Sequence, residues 1–95
     1  RDKKDLREIA DLIKQKIKSG LIVLGTALKD NKVNVLVMVT DDLINQGYDA
    51  GNIIKPIAFS INGKGGGKKH FAQAGGSGFE KMKKTFQNLK TIIKT

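Results

Sequence analysis

The segment Lys32–Thr40, K-V-N-V-L-V-M-V-T, limits what this chain can fold into more than any other part of it. Alternate side chains of a β-strand share a face, so Val33, Val35, Val37 and Val39 line one side. Leu36 and Met38 make the opposite side apolar as well. Such a strand is buried on both faces, which calls for a sheet with helices packed on each side. The apolar run L-I-V-L-G-T-A-L from Leu21 also has strand length, and K-D-N-K after it reads as a turn. The two runs predict an antiparallel hairpin.

The covering helices are legible in the remaining periodicity. Leu6, Ile9, Ala10, Ile13 and Ile17 recur at helical spacing and predict a helix over residues 3–19. Acidic residues crowd its start and Lys14, Lys16 and Lys18 its end, which suits the helix dipole, and Gly20 marks its stop. Thr40-Asp41-Asp42 caps a short helical turn before Gly47; as caps these aspartates and Asp49 are better explained than as metal ligands. Ala50, Ile53, Ile54, Ile57, Ala58 and Ile61 form a second stripe. Pro56 interrupts it, and an N-cap at Asn52 would leave that proline near the first turn, where its missing amide costs little. H-F-A-Q-A is a third strand candidate.

Ser77-Gly78-Phe79-Glu80 fits the S-x-x-E capping box and opens a last helix. That helix is expected to bury Phe79, Met82, Phe86, Leu89 and Ile93 and to turn Lys81, Lys83, Lys84, Lys90 and Lys94 outward. The expected order is α-β-β-α-loop-β-α, an α/β (α+β) domain in which a small mixed β-sheet is flanked by helices.

Composition narrows the function classes. The chain of 95 residues suffices for one modest core. It has no cysteine, which excludes disulfides and thiolate metal sites and suits a cytoplasmic location. His70 is the single histidine and cannot build a multi-histidine metal site. No apolar run approaches the roughly 18 residues of a membrane span. The chain opens on Arg1 and enters a helix at once, as expected of a piece of a longer protein. Its net charge of +9 is unevenly placed. Residues 1–49 carry nine basic and eight acidic side chains, a balance of +1; residues 50–95 carry nine lysines against Glu80, a balance of +8. A one-sided basic field attracts polyanions, nucleic acid foremost, although a lysine surface can also serve solubility alone.

The basic half holds the run G-K-G-G-G-K-K-H-F-A-Q-A-G-G from Gly63 to Gly76. A phosphate-binding P-loop needs G-x-x-x-x-G-K-S/T between a strand and a helix, but here Lys69 follows Gly67-Lys68 and the run leaves a helix to enter a strand. The dinucleotide fingerprint fails as well, since Lys68 occupies the third glycine position. Glycines permit positive φ and close backbone approach, and successive amides can then cradle an anion. With Lys64, Lys68 and Lys69 beside them, a sugar–phosphate backbone is the natural ligand. Catalysis is poorly supported, because general acid–base chemistry needs titratable groups that meet in a pocket and the back half offers one carboxylate.

Extended to Asn62, the stretch N-G-K-G-G-G-K-K-H-F-A-Q-A-G-G resembles the glycine-rich signature of the DHH-associated domain, in the version that closes alanyl-tRNA synthetases. L-I-V-L-G-T, V-L-V-M-V-T-D-D-L and Y-D-A-G-N-I-I-K-P-I-A upstream agree with that family. The resemblance covers about residues 20–95 as a globular domain, while residues 1–19 resemble a helix linking it to a preceding helical segment. Asn62 stands where the family usually has a first glycine, and Lys69, His70 and Phe71 where proline, aspartate and methionine are common.

The resemblance implies a non-catalytic domain that binds the outer corner of tRNA and supports aminoacylation and editing, with ATP and zinc confined to other domains and no cofactor here. By position it implies nucleic-acid contacts from Gly63, Lys64, Gly65, Gly66, Gly67, Lys68, Lys69, Gln73, Gly75 and Gly76. The other domains of the same enzyme would be partners, and a homodimer contact is associated with its helical part. Two rival readings stand beside this one. The apolar stripes of the first and last helices could serve dimerisation. The domain could also be the nucleic-acid-binding half of a DHH-type phosphodiesterase.

Overall fold

The computed structural model describes residues 3–87. Leu89, Lys90, Ile93 and Lys94 lie outside this range, and the side chain of Leu6 is likewise outside what is described. In chain order the elements are α1 (Lys3–Lys16), β1 (Leu21–Ala27), a 3-10 turn (Lys29–Asn31), β2 (Lys32–Val39), α2 (Asp41–Asn45), α3 (Ala50–Ser60), β3 (Lys64–Gly67), β4 (Phe71–Ser77) and α4 (Phe79–Gln87). The strands form one sheet in the order β1-β2-β4-β3. Every pairing is antiparallel, so the sheet is not mixed as expected. The reason is the additional strand: α2 and α3 carry the chain from β2 across to β3, which runs parallel to β2, and β4 then doubles back as a hairpin and lies between the two, so each bonds an antiparallel neighbour.

β2 is the centre of the molecule. Its residues from Val33 to Val39 are all buried. On one face Val33, Val35, Val37 and Val39, joined by Ala72 and Ala74 of β4, pack under Ile53, Ile54, Ile57 and Ile61 and against Met82 of α4. On the other face Leu36 and Met38 join Ile22 beneath α1, which contributes the fully buried Ala10 and the partly buried Ile13 and Ile17. The two-sided burial expected from K-V-N-V-L-V-M-V-T is therefore met by three helices. The hairpin register pairs Val37 with Val23 and Val33 with Ala27. The turn between the strands places Asp30 and Asn31 at φ 60, a left-handed conformation that Asp and Asn tolerate best among residues with a Cβ.

Four local readings need correction. α1 ends at Lys16 rather than at residue 19, because Gly20 already belongs to the sheet's edge: it donates its amide to Thr40 Oγ1 and accepts one from the Thr40 N–H. The N-cap of α3 is Asp49, whose Oδ1 accepts the Asn52 amide at 3.2 Å, and not Asn52. Pro56 thus falls in the helix interior, on its exposed side, beyond the first turn. The Ser77 capping box does not form. Ser77 is the last residue of the β4 ladder, opposite Lys32, and its amide goes to the Ile61 carbonyl. The cap of α4 comes instead from Asn31, whose Oδ1 accepts the Phe79 amide at 3.1 Å while its carbonyl accepts that of Gly78. Finally, Phe79 is not buried in α4; it lies 39% exposed with Lys83 over its ring, and Thr85 takes its place beside Met82 in the interior.

Candidate nucleic-acid interface

The glycine run is a hairpin rather than a loop. Lys64–Gly67 forms β3, the outer strand of the sheet, and all four of its residues are exposed. A C-terminal motif on α3 launches it. The Asn62 amide donates to the Phe59 carbonyl and the Gly63 amide to the Ala58 carbonyl, the paired bonds of a Schellman ending. Asn62 sits at φ 52, a left-handed position that asparagine tolerates better than most residues with a Cβ. Lys68, Lys69 and His70 make the turn into β4.

That turn occupies the start of α3. The Ala50 amide donates to the Lys69 carbonyl at 2.7 Å and the Gly51 amide to the Lys68 carbonyl at 3.1 Å. With Asn52 satisfied by Asp49, the positive end of α3 is already engaged by the protein itself. The amides at both ends of β3 are used too, Gly63 as above and Lys68 by the Phe71 carbonyl at 2.8 Å. The nest of free amides expected for an anion is therefore absent at these positions. Charge around the ridge comes from side chains instead.

Why the run is glycine depends on position. A side chain at Gly63 would run into the Gly75 carbonyl, one at Gly67 into Phe71 and Ala72, and one at Gly76 into Ile61. At Gly65 an added Cβ would lie 2.5 Å from the Ala74 Cβ and 2.6 Å from the Gln73 carbonyl oxygen. These glycines let β3 fold tightly onto β4 next to α3. Gly66 differs, since a Cβ there would meet nothing within 4 Å.

Clefts flank the ridge on both sides. On the α3 side Asn52, Lys55, Gly66, Gly67, Lys68 and Lys69 border one, with Asp49 the sole carboxylate in its lining. On the α1 side the register sets out rows of side chains. Asn34, Gly75 and Lys64 form one row, Leu36, Gln73 and Gly66 the next, and Met38 and Phe71 a third. α1 covers the third row, with the Arg7 guanidinium 4.4 Å from the centre of the Phe71 ring. The first two rows stay open around Lys64, Gln73 and the two glycines, as a hollow of about 230 Å³.

The expected site residues thus come together, with different placements. Lys64, Gly66, Gln73 and Gly75 share the α1-side hollow; Lys68 and Lys69 lie on the turn; Gly63, Gly65, Gly67 and Gly76 serve close packing. Lys55 and Asn52 on the α3 side and Arg7 and Asn34 on the α1 side also border the ridge, and the sequence did not mark them as site residues. Asn34 carried a signal, as a polar residue set inside the strand on the face that it shares with Leu36 and Met38. Of the carboxylates read as caps, Asp49 caps α3, and Asp42 accepts from the Ser19 and Thr40 hydroxyls, which hold its carboxyl below the usual carboxylate range. Among the described residues no three His, Cys, Asp or Glu side chains converge as a metal set, and no helix is long and apolar enough to cross a membrane.

A family model described as the DHHA1 domain matches residues 1–95, the whole chain. The chain belongs to the DHHA1 domain family. The resemblance carried by the glycine run therefore extends over its full length. Curated relatives are alanine–tRNA ligases. One from Alkaliphilus oremlandii is 44% identical over 94% of this chain, one from Halalkalibacterium halodurans 45% over 99%, and one from Dehalococcoides mccartyi 48% over 93%. The matched segment is about a tenth of each relative, 10%, 11% and 10% respectively. Among solved structures, the C-Ala domain of Aquifex aeolicus alanyl-tRNA synthetase superposes with a TM-score of 0.85 at 26% identity, covering 100% of this chain and 84% of that one. This DHHA1 domain therefore shares its α+β fold with the C-Ala domain, including the helix-flanked sheet expected from the sequence.

Proposed function

We propose that this chain is the C-Ala domain of an alanyl-tRNA synthetase and that it binds tRNA, without catalytic groups of its own, along the glycine ridge β3. The observation that carries the reading is the ridge itself, an edge strand whose one side chain is that of Lys64, with Lys68, Lys69 and Lys55 around it and a single, engaged carboxylate in the lining of its clefts. Nucleic-acid backbones approach such a surface closely, and lysines supply the sequence-independent part of the affinity. Similarity to alanine–tRNA ligases makes tRNA the natural polyanion. The ATP, alanine and editing chemistry would belong to other domains of the same enzyme, with α1 as the link to them and the cytoplasm as the setting.

Binding of tRNA across a salt series tests this. Each neutralised phosphate should contribute a slope of about −0.7 to −0.9 in log K against log salt. Replacing Lys64, Lys68 and Lys69 together by Glu should weaken binding and flatten the slope while leaving the thermal transition in place. An affinity that ignores salt would sink the reading. A second reading, self-association, is favoured by one observation: Leu12 and Ile9 on α1 are 58% and 38% exposed. Sedimentation at several concentrations decides it, a strict monomer removing the idea.

A further inference from the structure

The hollow on the α1 side has features that a phosphate-binding surface does not require. Its floor is Asn34, whose residue surface is more than nine-tenths buried and whose carboxamide nevertheless lines the opening. The amide faces the opening because its cross-strand neighbour is Gly75; a Cβ on that glycine would lie 3.2 Å from Asn34 Oδ1. One row along stands the half-buried Gln73, whose cross-strand neighbour on the ridge is Gly66. Both amides are thus uncovered by a glycine placed beside them. Gly66 has no packing reason to be glycine, in contrast to Gly65 and Gly67 on either side. The space that it leaves open belongs to the hollow.

We infer that this hollow receives one unstacked nucleobase of the bound RNA, read by the Asn34 and Gln73 carboxamides while Lys64 at the rim meets the adjoining phosphate. This rests on the nucleic-acid reading above and adds a base-recognising part to it. Each carboxamide offers an N–H donor pair and a carbonyl acceptor, the groups that pair with base edges in splayed single-stranded RNA. Their positions are diagonal across an antiparallel pair, about 7–8 Å apart at the backbone, which long side chains can span together. A phosphodiester can accept from the Asn34 N–H groups but has no donor for its carbonyl oxygen. A base supplies one.

The test uses the purified chain and two RNA oligonucleotides of equal length and charge, one complete and one lacking its bases. The wild type should bind the complete strand roughly five-fold or more tighter, as expected when carboxamides engage a base edge. Gly66→Val should bring that ratio close to one while keeping the slope of log K against log salt, because it fills the hollow and removes no charge. Its thermal transition should stay near the wild-type temperature, since a β-branched residue suits an edge strand and its Cβ meets open space. Gln73→Ala, which inserts nothing, should lower the ratio in the same direction. Equal binding of both strands by the wild type, or a ratio that survives in Gly66→Val and Gln73→Ala, overturns the base pocket and leaves salt-dependent backbone binding standing. Loss of salt-dependent affinity for both strands in the wild type overturns the nucleic-acid reading and the pocket together.

Discussion

β2 and β3 lie in one sheet with only β4 between them, yet they are built on opposite terms. β2 is built mostly of branched and long apolar side chains, with Asn34 the exception after Lys32, and from Val33 onward it is buried. β3 has one side chain, that of Lys64, and is exposed throughout. The first strand is held by what its residues bury. The second is held by backbone: the ladder to β4, the Schellman ending of α3 below it and the two carbonyls that the following turn gives to α3. A bare edge strand would ordinarily invite pairing with another chain, and lysines at such an edge are one of the devices that prevent it. Those same lysines leave the ridge open to a polyanion. Stability is thus concentrated in β2, and β3 is left free for recognition.

The largest effect should come from the buried strand. Leu36 is fully enclosed between β1, β4 and α1, and Leu36→Ala should cost about 2–5 kcal/mol in urea denaturation, from lost burial and the cavity left behind. A loss well under this range would mean that α1 does not close its side of the sheet. The ridge sharpens the contrast residue by residue. Gly65→Ala must push Ala74 and the β4 backbone aside and should cost about 1–3 kcal/mol. Gly66→Ala, one residue on, should stay within about 0.5 kcal/mol of wild type. If both glycines proved equally sensitive, β3 would be a packed element and not a ridge.

This contrast also explains which parts were legible in the sequence. β2 announces itself because burial on both faces is written in its side chains, and the α1 and α3 stripes follow from the same cause. β3 leaves no such trace. Glycine has low strand propensity and no face to alternate, so only the partner strand and helix α3 make Lys64–Gly67 extended. The caps went astray for a related reason. Ser77 has the right spacing to cap α4, but the ladder claims it, and a residue at the far end of the β1–β2 hairpin, Asn31, arrives through tertiary structure to do the work. In the candidate site, Lys64, Gln73 and the glycines could be picked out as a motif. Asn34, Lys55 and Arg7 could not be tied to it, since register and helix packing bring them there from three other elements.

The smallest effect concerns a side-chain tie at one end of the β1–β2 pair, and it tests how much that tie adds to the apolar burial of β2. At the end where β1 begins and β2 finishes, Thr40 Oγ1 accepts the Gly20 amide at 3.0 Å and donates to Asp42 Oδ1 at 2.6 Å. Ser19 donates to the other oxygen of the same carboxylate. The hydroxyl bonds from Ser19 and Thr40 favour the charged form and lower the Asp42 pKa. A carboxylate whose folded pKa is lowered contributes stability that is complete above its unfolded value, and loses it as the pH falls through the folded value. Asp42→Asn should therefore melt at a slightly lower temperature than wild type at neutral pH. The difference should narrow once the pH drops below about 4, where an unfolded aspartate takes up its proton, and vanish at lower pH. The effect should be small because Asp42 is exposed, and water screens such groups. A gap that stays constant down to about pH 2, below the ordinary range of carboxylates, would assign the loss to altered hydrogen-bond geometry and not to charge. No gap at any pH would mean that the tie adds nothing to the burial and backbone ladder that hold β1 to β2.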